Sequence, residues 1–215
     1  GKEVIFDAEH FFDGYKNNPE YAVEGLLAAA KGGSETLVLC DTNGGCFPEE
    51  IEKITRNVLN KVMLEYPRIK IGIHVHNDMS FAVINSIKAV EAGATHIQGT
   101  LIGFGERCGN ANLSTIIANL QLKKGIKILE EEKIEQLTQF SRAVAEIANI
   151  TIDDGMPYVG QNAFAHKGGM HIDGVTKASH SFEHISPTKV GNEREFLLSE
   201  VSGRTTILEE IQKVD

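Results

Sequence analysis

The sequence contains little cysteine, and its cysteines are not spaced for a shared role. Cys40, Cys46 and Cys108 are the three cysteines in 215 residues, and no two of them form a C-x-x-C pair. This odd number and spacing argue against both a disulfide framework and a thiolate zinc site. Reduced thiols are therefore expected.

Long apolar runs are also absent. No run approaches the roughly 20 residues that a membrane-spanning helix needs. With 41% hydrophobic and 24% charged residues, the composition is ordinary for a globular chain. No secretory signal precedes the first predicted strand, although the start of a partial chain carries no targeting information. We therefore expect a soluble, cytoplasmic protein that has no membrane partner.

Basic residues are in the minority. The chain has 21 Lys and Arg against 30 Asp and Glu, which gives a formal net charge of -9. No basic stripe interrupts this acidic background, so nucleic acid is not expected as a partner. A polyanionic ligand would need a local basic patch.

The chain does contain a repeated βα pattern. Apolar, β-branched runs recur at intervals of roughly thirty residues, the length of one βα unit. Helix signals separate them: Asn18-Pro19 resembles a cap followed by an N1 proline, Pro48 and Pro67 bracket a second helix, and Gly93 closes a third. Such repeats predict a parallel sheet covered by helices. The predicted strands cover 4–6, 37–40, 69–75 and 96–101.

Polar residues collect where these strands end. In parallel α/β proteins the active site lies at the C-terminal ends of the strands. Packing alone does not require carboxylates, imidazoles and amides at the ends of four strands. Asp78 or Ser80 is also expected to cap the helix after the third strand. The residues are Asp7, Glu9 and His10; Asp41, Thr42 and Asn43; His74, His76, Asn77 and Asp78; and Thr100.

His74 and His76 form the most informative pair. Side chains two apart on a strand share a face, so both imidazoles point the same way, about 7 Å apart at their bases. Two imidazoles at this spacing can converge on one cation. The alternative is that one or both are hydrogen-bonded core histidines.

A second motif follows the fourth strand and makes a family resemblance visible. It runs Gly103-Phe-Gly-Glu106-Arg107-Cys108-Gly-Asn110, after Asp41-Thr-Asn-Gly and His74-Val-His-Asn-Asp. In that order, these motifs resemble the C-terminal half of the barrel in the DRE-TIM metallolyase superfamily, specifically its acyl-CoA condensing synthases. These are the 2-isopropylmalate, homocitrate and citramalate synthases. Residues 7–15 with 40–45 are most similar to the citramalate group, and 163–174, 191–196 and 202–204 are similar to the subdomains that follow the barrel.

The resemblance implies an α/β fold, namely the C-terminal half of a TIM (β/α)8 barrel with four βα units. A helical linker and a small α+β subdomain should follow. We expect residues 1–125 to form the half barrel, 126–150 the linker with a helix over 129–148, and 151–215 the C-terminal subdomain. The linker helix should present Ile134, Leu137, Phe140, Val144 and Ile147 on one apolar face that packs on the barrel.

A departure from the family accompanies this resemblance. The amino-terminal half barrel, with its first-strand aspartate ligand and arginine, has no counterpart here, so we expect a piece of a longer protein that is inactive alone.

The implied chemistry is condensation of acetyl-CoA with a small 2-oxo acid, most simply pyruvate to citramalate. It would proceed by metal-assisted Claisen-type attack and thioester hydrolysis. The expected cofactor is one divalent ion, Mg, Mn, Zn or Co, and the ligands present here would be His74, His76 and Asn110. Asn110 has an alternative role as the N-cap of a helix over 111–123. A homodimer is expected, with the subdomain of one subunit reaching the active site of its neighbour.

The resemblance also implies roles for His171 and Glu9. His171 matches the catalytic base and Glu9 the carboxylate that pairs with it, whereas His171 could instead cap a loop and Glu9 could mark a helix entry. Thr42 would donate its hydroxyl to the substrate carboxylate, or form an ST-turn. Glu106 and Arg107 would order the last loop as an ion pair or contact substrate. The role of His166 is left open.

Three alternatives remain. One is a cleaving lyase of the same superfamily, which carries a catalytic cysteine in a Gly-Gly-Cys-Pro loop. Cys108 is displaced from that pattern and is expected to be a small packed thiol. Another is a flavodoxin-like nucleotide-binding sheet, although Gly103-x-Gly105-x-x-Cys108 lacks the third glycine. The last is a non-enzyme, a metal-binding half-barrel assembly module.

Overall fold

The computed structural model describes residues 1–197, so the predicted similarity at 202–204 lies outside the described residues. The chain forms two compact units, Gly1–Ile116 and a second that begins at Ile117. The expected boundaries after residues 125 and 150 stay predictions. None of the helices described in 1–197 is long and apolar enough to cross a membrane.

The first unit contains a four-stranded parallel sheet in the order β1-β2-β3-β4. This sequential order is that of a TIM barrel, whereas a flavodoxin-like sheet would place β1 between β2 and β3. The flavodoxin-like alternative is therefore wrong, and the four predicted βα units are confirmed. The strands are β1 Ile5–Ala8, β2 Thr36–Asp41, β3 Lys70–Val75 and β4 His96–Gln98. The helices are α1 Phe11–Asn17, α2 Pro19–Lys31, α3 Pro48–Glu65, α4 Ala82–Glu91 and α5 Leu113–Ala118, the last continuing as a π-helical turn Asn119–Lys123.

Local sequence accounts for the helix starts. The Asn18 side chain accepts a hydrogen bond from the Tyr21 amide at 3.1 Å, and Pro19 occupies the first turn, where its missing N–H costs nothing. Pro48 opens α3 in the same way, and the Glu50 carboxylate accepts from the Phe47 amide at 2.8 Å. These signals fix where the chain leaves each strand end.

Burial is unequal across the sheet. All six residues of β2 are buried, and Leu37, Leu39 and Ile73 have no exposed surface. Each such side chain contributes about 1.5–3 kcal/mol on leaving water. By contrast, Ile5 and Phe6 on β1 are 43% and 38% exposed. The core therefore sits on the two central strands, as half of a barrel requires.

The sheet is curved. In a flat sheet β1 and β4 would lie about 14 Å apart, three strand spacings of ~4.8 Å. The Gln98 amide of β4 nevertheless donates to the Asp7 carboxylate of β1 at 2.9 Å. The two edge strands must therefore curl toward one another, as barrel strands do.

The second unit combines short helices with a two-stranded parallel sheet. Its described elements are α6 Glu131–Ile134, α7 Leu137–Ala148, β5 Ala165–His166, α8 Gly169–Lys177, the 3-10 turns Ser179–Ser181 and Pro187–Val190, and β6 Glu195–Phe196.

The prediction of a single helix over 129–148 is wrong, because the helix is interrupted between α6 and α7. At the break the Glu135 carbonyl lies so close to Gly191 that a Cβ on Gly191 would collide with it. The predicted apolar face is also partly wrong. Phe140 and Ile147 are 49% and 87% exposed. The buried residues of α7 are Leu137, Thr138, Ser141 and Ala145.

Candidate metal and substrate site

The candidate site lies at the C-terminal ends of the parallel strands in the first unit. His74 occupies the penultimate position of β3, in register with Cys40 on β2 and Gln98 on β4. The loop after β4 folds back alongside the end of β3, where the Ala111 amide donates to the Val75 carbonyl at 3.1 Å. Backbone pairing therefore brings the two sequence motifs together.

The two histidines lie side by side, as their spacing predicts. Their ring centroids are 5.3 Å apart with an interplanar angle of 40°. The Nδ1 atom of His74 is 2.8 Å from the Gln98 side-chain oxygen. Burial is the largest cause that lowers the pKa of His76 below its ordinary value, and the neighbouring His74 and Arg107 lower it further. Neutral imidazole is the form that binds metal ions.

Asn110 lies beside His76, to which it is joined by an antiparallel backbone bridge. It does not act as the helix cap that was its alternative role. The side-chain oxygen of Asn112 accepts instead from the amides of Ser114 at 3.0 Å and Thr115 at 3.4 Å, and α5 begins at Leu113. The Asn110 side-chain nitrogen donates to the Phe104 carbonyl at 3.4 Å, which leaves its side-chain oxygen for another partner.

Two buried polar atoms of this group have no hydrogen-bond partner among the described residues, His76 Nδ1 and Asn110 Oδ1. Buried groups of this kind are costly unless something satisfies them. Within residues 1–197 no cluster of three or more His, Cys, Asp or Glu side chains could hold a metal ion. Two imidazoles and one amide oxygen do converge in this group, and such nitrogen and oxygen donors fit a divalent cation.

The turn after β2 places Thr42 beside this group. Both carboxylate oxygens of the buried Asp41 accept backbone hydrogen bonds at 3.2 Å, from Gly45 and Cys46. Gly44 has a φ of 60°, and a Cβ there would lie 2.7 Å from an oxygen of Asp78, so a side chain would force the two turns apart. The Thr42 hydroxyl accepts from the His10 amide at 2.8 Å, which leaves its own hydrogen able to donate.

Arg107 ties the loop after β4 to both other turns. Its Nε and Nη2 donate to the Asp78 carboxylate at 2.8 and 3.0 Å, and Nη2 also donates to the Thr42 carbonyl at 2.8 Å. Glu106 is 3.8 Å away, with a side chain 84% exposed. The Glu106–Arg107 pair therefore exists, but Asp78 is the principal partner. Asp78 consequently does not cap α4, and neither does Ser80, because the Asn77 side chain accepts from the Ala82 amide at 3.2 Å.

The cysteines near these strand ends differ in exposure. Burial, reinforced by the negative charges of Asp7 and Glu9, raises the pKa of the Cys40 thiol to about 12. Burial also raises the pKa of Cys46 to about 12. Cys108 is exposed, so the expectation of a packed thiol is wrong. The glycine-rich loop around it has no apolar neighbours in its sequence except Phe104, which is itself exposed.

Glu9 and His171 belong to different units, so their proposed pairing stays a prediction. Glu9 is exposed at the end of β1. His171 is exposed in the first turns of α8, and its ring stacks on Phe182 at 4.3 Å with an interplanar angle of 20°.

His166 is buried in an ionic cluster of the second unit. Its Nε2 lies 3.1 Å from Glu183, whose side chain is 2% exposed. Arg194 donates two hydrogen bonds to the same carboxylate, at 2.6 and 2.7 Å. These bonds and, less strongly, His166 lower the pKa of Glu183 against the opposing effect of burial. This arrangement gives His166 a role in the fold of the unit.

Sequence patterns did not single out Gln98, which contacts both Asp7 and His74. The only available signal was its place two residues before Thr100, on the strand next to the histidines. The Asp78–Arg107 pair was also missed, because the two residues lie in separate motifs.

Fold and site together define the class of this chain. Its first unit is half of a TIM barrel whose polar groups collect at the C-terminal ends of the strands. The chain belongs to the HMGL-like family, whose model matches residues 2–144. A second model, described as homocitrate synthase post-HMGL domain-like, matches residues 158–215.

Curated relatives extend this assignment. An (R)-citramalate synthase from Aquifex aeolicus is 51% identical over 98% of this chain and 39% of its own length. An (R)-citramalate synthase from Synechocystis is 51% identical over 97% of this chain and 39% of its own length. A probable 2-isopropylmalate synthase from Methanopyrus kandleri is 33% identical over 100% of this chain and 41% of its own length. The chain thus spans about two fifths of the curated relatives it matches.

Solved structures share the fold. An HMG-CoA lyase from Acinetobacter baumannii aligns with 67% of this chain and 45% of its own, with a TM-score of 0.51 and 24% identity. The carboxyl transferase domain of Rhizobium etli pyruvate carboxylase aligns with 68% of this chain and 24% of its own, with a TM-score of 0.53 and 15% identity. At these identities the likeness concerns the fold alone.

Proposed function

We propose that the protein containing this chain condenses acetyl-CoA with a small 2-oxo acid, and that pyruvate is the preferred acid, giving citramalate and free coenzyme A. The observation that carries the proposal is the group formed by His74, His76 and Asn110, with two buried donor atoms that have no partner in the described residues. Relatives named (R)-citramalate synthase, 51% identical over nearly the whole chain, support the choice of reaction.

The donor set suits a divalent cation bound to His74, His76 and Asn110, among Mg, Mn, Zn and Co. A cation held there would act as a Lewis acid toward the ketone and carboxylate oxygens of a 2-oxo acid. Two protein side chains would bind the substrate and position the loop. Thr42, whose hydroxyl hydrogen is able to donate, would hold the substrate carboxylate. Arg107 would keep the Asn110 loop against the two neighbouring turns.

Proton removal from the acetyl group needs a base that is not bound to the cation. We assign this role to His171, with Glu9 hydrogen-bonded to its imidazole to fix the tautomer and raise its basicity. The proposal includes a homodimer in which the C-terminal subdomain of one subunit reaches the active site of its neighbour.

A thiol-release assay on the intact protein tests the reaction. Acetyl-CoA is offered with pyruvate, 2-oxoisovalerate or 2-oxoglutarate, and free coenzyme A is measured. Pyruvate should give the highest kcat/KM. A preference for 2-oxoisovalerate would assign a 2-isopropylmalate synthase instead, and no release with any acid would contradict the condensing function and leave the assembly-module alternative.

Exposed Cys108 provides a second arm of this test, because the cleaving lyases of the superfamily use a loop cysteine. We expect Cys108→Ser to leave thiol release unchanged. Loss of thiol release in this variant, with folding intact, would contradict this expectation and place Cys108 among the groups that the reaction needs.

A further inference from the structure

A hydrogen-bonded relay crosses the half barrel from β1 to β3. The Gln98 side-chain nitrogen donates to Asp7 Oδ1 at 2.9 Å, and the Gln98 side-chain oxygen lies 2.8 Å from His74 Nδ1. Gln98 is the register partner of His74 on the neighbouring strand, so their side chains share one face of the sheet. Asp7 reaches the same point because the sheet is curved.

The chemistry of the three groups fixes the direction of this relay. A carboxylate can only accept hydrogen bonds, so the Gln98 amide must turn its NH2 group toward Asp7. Its oxygen is then directed at His74 and can only accept. His74 must therefore carry its proton on Nδ1, which leaves Nε2 as the nitrogen with a free lone pair.

We propose that Gln98 is a positioning residue that, oriented by Asp7, holds His74 in the Nδ1-protonated tautomer and so prepares Nε2 for the divalent cation. This inference rests on the proposed metal site and adds to it the residues that prepare one ligand. Partners of ligand histidines act in this way by fixing ring orientation and raising ligand basicity. Without the relay, neutral His74 would divide between two tautomers, only one of which has the lone pair on Nε2.

The first test reads the tautomer directly in the metal-free intact protein. Long-range 1H–15N spectra of 15N-histidine-labelled protein at about pH 8, above the ordinary histidine pKa of ~6.5, distinguish the two tautomers. His74→Gln identifies the His74 signals. The wild type should show the Nδ1-protonated form of His74, and Gln98→Met, similar in length but without hydrogen-bonding groups, should shift it toward a mixture.

The second test exchanges the partners. In the double variant D7N/Q98E, the carboxylate stands at position 98 and accepts from His74 on one side and from the new amide at position 7 on the other. A side chain that merely fills space would respond to Gln98→Met but would gain nothing from this exchange. We expect D7N/Q98E to restore the Nδ1-protonated form. Gln139→Met, on exposed Gln139, is the control and should leave His74 unchanged.

Mn2+ affinity, measured by electron paramagnetic resonance of the free ion, is the third readout. Gln98→Met should weaken binding about 10-fold, the lower end of what loss of such a partner costs, and D7N/Q98E should recover most of it.

The outcomes separate the relay from the metal site. An unchanged His74 tautomer in Gln98→Met, or failure of D7N/Q98E to restore it, would overturn the relay whether or not Mn2+ binds. Wild-type protein that binds no Mn2+ but shows the relay-dependent tautomer would contradict the proposed metal site and leave the relay standing. If Gln98→Met alters the His74 tautomer but leaves the Mn2+ affinity unchanged, the proposal that the relay prepares His74 for the cation is contradicted.

Discussion

Arg107 and Asp78 form a two-bond ion pair between the loop after β4 and the turn after β3, with N–O distances of 2.8 and 3.0 Å. The pair connects two motifs that lie apart in the sequence. Because Arg107 also donates to the Thr42 carbonyl, one guanidinium joins three strand ends. A planar fork of donors suits this task, whereas an ammonium group would make a single contact.

Arg107→Lys should therefore impair the site more than the fold. The side chain is 42% exposed, and exposed ion pairs contribute little to stability because solvent screens them, so the melting temperature should change little. The loop that carries Asn110 loses its anchor, however, and we expect divalent-metal affinity to fall about 10-fold, as for other losses around a ligand. Isothermal titration with Mn2+ measures the effect.

Arg56→Lys is the matched control. Arg56 is 51% exposed and pairs with Glu52 on its own helix, away from the strand ends. It should leave Mn2+ affinity unchanged. Equal effects of the two substitutions would show that the Asp78 pair has no special part in the site.

Removal of either histidine imidazole should weaken the metal site directly. We expect His74→Ala and His76→Ala each to lower the metal content of the purified protein and to weaken affinity by at least the ~10-fold typical of surrounding partners. His180→Ala, at an exposed position, serves as the control. Metal analysis by mass spectrometry checks this, and unchanged content in both variants would rule out the assignment.

The sequence predicted the part of the site that depends on local spacing. His74 and His76 meet because alternate residues on a strand share a face. Pro19 and Pro48 mark helix starts because their φ is fixed, and Gly93 follows the end of α4 because glycine adopts its φ of 110° without strain. Such local signals predict four parallel strands covered by helices, whereas the family resemblance implied their arrangement as half a barrel; the sequential strand order agrees with both.

Contacts created by folding could not be foreseen. Gln98 meets Asp7 only because the sheet curls, and no spacing in the sequence records that curvature. Asp78 fails to cap its helix because Arg107, nearly thirty residues later, takes its carboxylate. The sequence suggested Asn110 as a possible helix cap, whereas the hydrogen bonds assign the cap to Asn112.

Gly105→Ala should disable Asn110 by collision. A Cβ at Gly105 would run into the Asn110 side-chain amide, so the Asn110 oxygen must move from its present place. Gly45→Ala is the control, because a Cβ there meets nothing within 4 Å. We expect Gly105→Ala to reduce Mn2+ affinity and kcat/KM by 10-fold or more, about 1.4 kcal/mol, and Gly45→Ala to change neither markedly. Similar values for both variants would mean that Asn110 is not a ligand.

The Glu183 cluster should make part of the stability depend on pH. Arg194 lowers the pKa of Glu183 in the folded state, so this carboxylate stabilises the fold above its unfolded pKa of ~4.3 and loses that contribution as pH falls through the lower, folded value. Breaking a buried pair costs about 3–5 kcal/mol, and less here because Arg194 is 32% exposed.

Thermal unfolding of the intact protein tests this dependence. At pH 7 Glu183→Gln should melt several degrees below the wild type, and the gap should close as pH falls below about 4. Glu193→Gln, at an exposed neighbouring position, should show no such gap. A gap that stays constant down to pH 3 would assign the loss to packing and not to charge.

The exposed edges of the sheet lead to a prediction about the 215-residue chain by itself. Within the described residues β1 pairs only with β2 and β4 only with β3, so each edge strand presents unpaired N–H and C=O groups. Beside the β1 edge, Val4 and Ile5 are 50% and 43% exposed. Edges of this kind pair readily with another chain, so we expect the isolated chain to self-associate and, as the resemblance to half a barrel implies, to show no thiol release. Sedimentation velocity measures the association. Ile5→Lys should reduce it by placing a charge on the edge, whereas Tyr21→Lys, at a helix position 74% exposed, should not. A stable, active monomer would show that these edges need no partner, and the barrel interpretation of the first unit would then be wrong.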